Sequence, residues 1–236
     1  MLFSILRNGF DPLDLIIQVF VVAFVVFCTM PVHEFAHAFV ATKLGDQTPR
    51  LSGRLTLNPM AHISPIGALM ILLCGVGYAK PVSVNPRNFR DPKKGMALTA
   101  VAGPISNLLM AFIFLLLAQI VDVIANGKVY FFRYGFLGYD LTAGASISFA
   151  ICLFLYFAAQ INVNLAVFNL LPIPPLDGSR ILQLLIPSKY YYKVMQYERY
   201  IVLAVFILLF TGILSTPISW ISSKVMDLFI FFNVFA

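Results

Sequence analysis

Charged residues are scarce in this chain. Asp, Glu, Lys and Arg make up 11% of 236 residues, and 60% of the side chains are hydrophobic. Soluble domains carry about 25% charge. A water-soluble fold cannot cover its surface at this ratio, so an integral membrane protein is expected. Cysteine is also scarce. Cys28, Cys74 and Cys152 lie in apolar stretches without C-x-x-C spacing, which argues against a disulfide framework and for buried free thiols. No run of Lys or Arg resembles a nucleic-acid footprint, so the net charge of +6 reads as cytoplasmic loop charge and no nucleic-acid partner is expected. No internal repeat, low-complexity tract or appended soluble domain is visible.

Long uncharged runs are what the sequence has instead. Between Asp14 and Lys43 the only formal charge is Glu34. This predicts a first membrane helix over 15–41, too long for a signal h-region and with no small-residue cleavage site after it. Residues 65–79 are apolar but short, which reads as a re-entrant element. The flanks, Gly53–Asn58 and Ala79–Asn85, have strand-like composition bounded by Pro, Gly and Asn. Further uncharged stretches lie between Lys94 and Asp122 and from Leu141 to Leu176. The first of these contains Ala102-Gly103-Pro104-Ile105-Ser106-Asn107, small residues that permit close helix packing. A basic amphipathic stretch follows over 179–199. A span is expected over 201–214, and residues 217–235 form either a tilted final span or an interfacial helix.

The expected fold is therefore an all-α polytopic membrane protein with about 4–6 membrane helices and a small re-entrant β-hairpin or sheet near the cytoplasmic side. We read residues 1–236 as one membrane-embedded domain, with a core over about 15–186 and C-terminal helices over about 198–235. The segments Lys43–Arg54, Lys80–Lys94 and Arg180–Arg199 are basic, while Asp122–Asp140 is balanced. The positive-inside rule then places the first three in the cytoplasm and the N-terminus outside.

One segment carries chemistry. His33-Glu34-Phe35-Ala36-His37 is an H-E-x-x-H pattern. On a helix, positions four apart project from one face about 6 Å apart along the axis. Their imidazoles can take two corners of a zinc tetrahedron, while the intervening Glu can serve as base toward a metal-held water. Three ionisable groups in five positions of an apolar span need compensation, because each costs about 2.5–3.5 kcal/mol at a membrane helix centre. Metal coordination supplies it. A third protein ligand is then required. Asp177 fits best: three prolines in Pro172-Ile173-Pro174-Pro175 must break the preceding helix at the same membrane depth, and Gly178 permits an unusual backbone. An N-cap role for Asp177 and ligation by His62, the remaining histidine, are the competing readings.

His33-Glu34-Phe35-Ala36-His37 together with Asn169-Leu170-Leu171-Pro172-Ile173-Pro174-Pro175-Leu176-Asp177-Gly178 resembles the site-2 protease family of intramembrane zinc metalloproteases. Gly53–Pro59 and Ala79–Val82 are similar to further blocks of its short members, those without PDZ or CBS domains. The resemblance runs from about Pro31 to Arg180. It implies one zinc ion per chain bound by His33, His37 and Asp177, Glu34 as catalytic base, and Asn169 as a group that holds the substrate backbone or stabilises the oxyanion. An amide donor in a dry site suits that last task; a helix–helix hydrogen bond is the alternative for Asn169, and the expectation for Asn107, Asn162 and Asn164. The implied substrates are transmembrane proteins of the lipid bilayer, cleaved in or near their membrane segments. The implied location is the prokaryotic cell membrane, with the active site toward the cytoplasm. Ser64 stands where short members commonly carry Asp. An unwound substrate is expected to add as a strand to Gly53–Asn58 or Lys80–Val84. A metal-handling transporter or a catalytically dead scaffold are the rival classes; one compact cluster instead of a ligand path argues against the first, and an intact His-Glu-His-Asp set against the second.

Overall fold

The computed structural model describes residues 12–64, 80–127 and 147–234. Ten α-helices occur among them: α1 (Pro12–Phe24), α2 (Met30–Lys43), α3 (Thr48–Leu51), α4 (Pro59–His62), α5 (Pro92–Asn126), α6 (Ile147–Asn169), α7 (Asp177–Leu185), α8 (Ser188–Met195), α9 (Glu198–Phe210) and α10 (Ser215–Val234). A π-helical turn, Val25–Thr29, joins α1 to α2, and a 3-10 turn, Pro86–Asn88, precedes α5. Three stretches are long and apolar enough to cross a bilayer: Val19–Lys43, Pro92–Ala125 and Ile147–Asn169.

The first stretch is one continuous rod with a shifted register. Val21, Val25, Thr29, His33, His37 and Ala41 are all buried and spaced by four. Each such step advances about 40° around a regular α-helix, so this row drifts by roughly 200° over its length. The π turn accommodates one extra residue and takes back roughly 100° of that drift. Its closing bond runs from Met30 N–H to the Val25 carbonyl. The same carbonyl accepts the Thr29 hydroxyl at 3.0 Å. The apolar upper half and the histidine-bearing lower half thereby face one interior.

α5 starts at a strong stop signal. The Asp91 carboxylate accepts the N–H groups of Lys93 and Lys94, Pro92 occupies the first helical position, and Gly127 ends the helix at φ +70°. Among the described elements the most extensive packing is between α5 and α6. Lipid tails are as apolar as the helices themselves, so close van der Waals approach drives such packing, and small residues permit it. Ala111, Ala118, Ala158, Ala159 and Ala166 are fully buried there. Met226 of α10 enters the same cluster beside Leu115 and Val163. The opposite side of α5 presents Leu109, Ile113, Leu117 and Ile124 outward, a surface suited to acyl chains and not to water.

Several expectations need correction. The hairpin is not formed at the described residues. Gly53 (φ +68°) terminates α3, and the Asn58 side chain caps α4 through Met60 N–H. Residues 53–58 are thus consumed by the ends of two short helices and have no ladder partner. Lys80 N–H bonds the His62 carbonyl at 2.7 Å, at the end of α4 and beyond the first flank. The proposed re-entrant segment 65–79 lies outside the described residues. The described residues account for three candidate spans of the four to six expected for the whole chain. α9 has 13 residues, about 20 Å, which is short of a hydrocarbon core of about 30 Å. Cys152 is buried as expected, but Cys28 is exposed, on the outward side of the π turn.

Candidate metal centre

The site is built from three elements. α2 supplies His33 and His37, whose rings lie 4.6 Å apart in edge-to-face orientation. Their Nε2 atoms are 3.0 Å apart. α7 supplies Asp177, with Oδ2 3.4 Å from His33 Nε2 and 3.3 Å from His37 Nε2. α5 supplies the wall behind the histidines: His37 Nδ1 lies 2.7 Å from the Thr99 carbonyl. A carbonyl only accepts, so Nδ1 carries the proton. Neutral His37 then presents its Nε2 lone pair to the centre of the cluster.

These distances define what the cluster can hold. Ligand bonds of about 2.0–2.2 Å in a tetrahedral zinc site place neighbouring ligand atoms about 3.3–3.5 Å apart. The two edges to Asp177, 3.3 and 3.4 Å, match that length, and the edge between the two imidazole nitrogens, 3.0 Å, is about 0.3 Å shorter. Two imidazole nitrogens and a carboxylate oxygen are the borderline-soft donor set zinc takes. With three protein ligands, a fourth corner stays open.

Asp177 reaches the site because the chain before it cannot be helical. α6 ends at Asn169, and residues 170–176 run as consecutive tight turns containing Pro172, Pro174 and Pro175. The helix α7 then restarts at Asp177. Its cap position is Leu176, and no side-chain cap bond forms there. The Asp177 carboxylate is turned to the imidazoles instead of the backbone, so the capping alternative is not what the structure shows. Gly178 explains the close fit. A Cβ on it would overlap the carbonyl oxygens of Leu170 and Leu171. The start of α7 is pressed against the backbone that follows α6, and this sets the depth of Asp177.

The remaining expected residues fall as follows. Glu34 is buried on α2 beside the pair. Asn169 is half-buried at the last position of α6, at the head of the turns leading to Asp177. His62 is fully buried, but its Nε2 pairs with the Thr56 carbonyl at 2.8 Å. It braces the 56–62 turn, together with Arg54, whose guanidinium donates to the Ala61 carbonyl. His62 is not in the ligand cluster, which comprises His33, His37 and Asp177. Within α6, the Asn162 amide donates to the Ala158 carbonyl at 2.8 Å and Gln160 pairs with Asn164 at 3.3 Å. Thr99 was not read from the sequence. A backbone acceptor leaves no side-chain signature, and the small residues after it were the available hint.

A helical, apolar chain that gathers two histidines and an aspartate beside a buried glutamate defines a membrane-embedded metalloprotein with hydrolytic capability. The chain belongs to peptidase family M50, which matches residues 19–212. YwhC of Bacillus subtilis (strain 168), provisionally named a zinc metalloprotease, is 39% identical over 200 residues, covering 85% of this chain and 83% of that protein. Rip2 of Mycolicibacterium smegmatis, also provisionally named a zinc metalloprotease, is 30% identical over 62% of this chain and 49% of its own length. Zinc metalloprotease MJ0392 of Methanocaldococcus jannaschii is 26% identical over 70% of this chain and 34% of its own length. The chain thus spans about half of the second relative and a third of the third. No solved structure matches it significantly.

Proposed function

We propose that the zinc metalloprotease activity of this membrane-embedded chain is carried by His33, His37 and Asp177 as zinc ligands, Glu34 as general base and Asn169 as a substrate-side donor. The observation that carries the reading is the compact triangle of Nε2, Nε2 and Oδ2 atoms, with edges of 3.0 to 3.4 Å. When bound, zinc supplies Lewis acidity, lowering the pKa of a coordinated water to about 7 and polarising a carbonyl.

The protein's own groups do the rest. Thr99 holds His37 in the tautomer that leaves Nε2 free. Glu34, one residue from His33 and buried with it, accepts a water proton and returns it to the leaving amine. Asn169 donates its amide N–H toward the oxyanion that develops on the scissile carbonyl. The apolar surroundings exclude bulk water, which strengthens each of these interactions.

The substrates under this reading are membrane proteins cut in or near their spanning segments. The basic segments at Lys43–Arg54 and Lys80–Lys94 support a cytoplasmic position for the site and residence in the cell membrane. Purified protein should cleave a reporter transmembrane substrate. Glu34→Gln is isosteric, so it should lower the cleavage rate about 10²–10⁴-fold while one zinc per chain stays bound. Full cleavage by Glu34→Gln would remove Glu34 from the mechanism. Loss of zinc from it would reassign Glu34 to the ligand set.

A further inference from the structure

Gly103 on α5 lies directly against the two imidazoles. A Cβ at this position would overlap His37 Nε2 and Cε1 and lie 2.6 Å from His33 Cε1. No other glycine whose surroundings are described meets the metal-site side chains in this way; Gly95, eight residues earlier on the same helix, meets the Phe89 ring instead. Gly103 sits one helical turn after Thr99, whose carbonyl orients His37. It is followed by the fully buried Pro104. A glycine inside a helix costs about 1 kcal/mol relative to alanine, so its presence here calls for a local reason.

We propose that Gly103 is a positioning residue of the metal centre. Its missing side chain leaves the slot in which both imidazoles stand, and the Thr99 carbonyl one turn away fixes the ring that fills it. α5 is therefore a fixed wall that sets the separation and tilt of the two Nε2 atoms. Alanine at 103 drives His37 off the Thr99 carbonyl or away from His33. Either movement spoils the triangle. The inference rests on the zinc-ligand reading above.

Cobalt(II) and zinc(II) binding by the detergent-purified full chain tests it. Wild type, Gly103→Ala and Gly95→Ala are stripped of metal and titrated with cobalt(II), following the visible absorption of a tetrahedral site. Zinc retention against a chelator is read in parallel. Changes in the groups that orient a metal's ligands cost about 10–100-fold in affinity, and that loss is expected for Gly103→Ala. Gly95→Ala, which crowds a phenylalanine on the same helix, should bind as wild type does. Equal binding by Gly103→Ala and wild type overturns the proposal, as does an equal loss in Gly95→Ala. Failure of the wild type to bind either metal overturns the ligand reading and this inference with it. Should Gly103→Ala not fold, the triple variant that also carries His33→Ala and His37→Ala gives the answer. Removing both rings empties the slot, so the triple variant should unfold at the temperature of His33→Ala/His37→Ala alone. A triple variant that still fails to fold contradicts the proposal.

Discussion

Asp46→Asn should destabilise the metal centre from outside it. Asp46 is fully buried three residues beyond α2. Its Oδ1 accepts the Thr48 N–H at 3.0 Å, the Thr48 hydroxyl at 2.6 Å and the Asn88 amide at 2.6 Å. Its Oδ2 accepts the Asn85 N–H at 2.7 Å. The carboxylate thus clamps the end of the histidine-bearing helix to the segment that leads into α5, which supplies the wall. Every partner is a donor, so an amide cannot replace it. With the oxygen of Asn at the Oδ1 site, its NH2 faces the Asn85 N–H. One charge-assisted bond is lost, worth about 1.5–3 kcal/mol, and a buried N–H is left unpaired at about 1–3 kcal/mol. The two effects overlap, so we expect roughly 2–4 kcal/mol. At about 2–4 °C per kcal/mol for a chain of this length, thermal unfolding in detergent should fall by roughly 4–16 °C. The difference should also depend on pH. Burial opposes ionisation of Asp46, but the hydrogen bonds from Thr48, Asn85 and Asn88 outweigh it and hold the carboxyl below its ordinary value of 3.8. A depressed carboxyl contributes stability above its unfolded value and loses it as pH falls toward the folded one. Wild type and Asp46→Asn should therefore differ fully at pH 6–7 and converge as pH drops below about 4. An unchanged unfolding temperature, or a gap that persists undiminished into acid, would refute the clamp.

Three further outcomes follow from the site. Asp177→Asn should weaken zinc retention by no less than the about 10–100-fold that outer-shell changes cost, whereas His62→Gln should leave it unchanged; comparable losses in a chelator assay would restore His62 as a ligand candidate. Gly178→Ala places a methyl group against two backbone carbonyls, so a stability loss of about 1–3 kcal/mol and reduced zinc content by elemental analysis are expected. Thr29→Val keeps the shape and removes a hydroxyl that bonds the π-turn carbonyl; a loss of about 1 kcal/mol is expected, and normal zinc content would show that this bond tunes stability and not the register of the histidines.

The legible parts of the molecule were those written in local pattern. The i, i+4 spacing of His33 and His37 needs only a helix, and the helix is read from the absence of charge around it. Asp177 was reachable because three prolines force a break at a definable depth. The hairpin misled for a related reason: Gly53, Asn58 and Pro59 mark chain reversals in any fold, and here they cap short helices instead of bounding strands. Other features leave no local trace. The Thr99 carbonyl is a backbone atom. The Asp46 partners at Asn85 and Asn88 lie some forty residues away. The π turn comes from how a row of residues spaced by four must keep facing one interior, and composition does not encode that.

That row connects the fold to the chemistry. A regular helix through Val25–Thr29 could bury Val21 or His33 against α5 and α6, but the two would diverge by the roughly 120° that accumulates over the three steps between them. Burying the apolar half alone would turn the histidines toward lipid, where unpaired polar groups cost several kcal/mol each. Burying the histidines alone would strip the upper rod of its contacts with α6. The π turn reconciles the two demands, and the Val25 carbonyl, satisfied by both Met30 N–H and the Thr29 hydroxyl, keeps the bulge from adding an unpaired group at membrane depth. Below it, the Thr99 carbonyl and the slot at Gly103 receive the imidazoles at one orientation. The metal centre is thus set by helix register on one side and by a missing side chain on the other, and neither lies within the H-E-x-x-H motif itself.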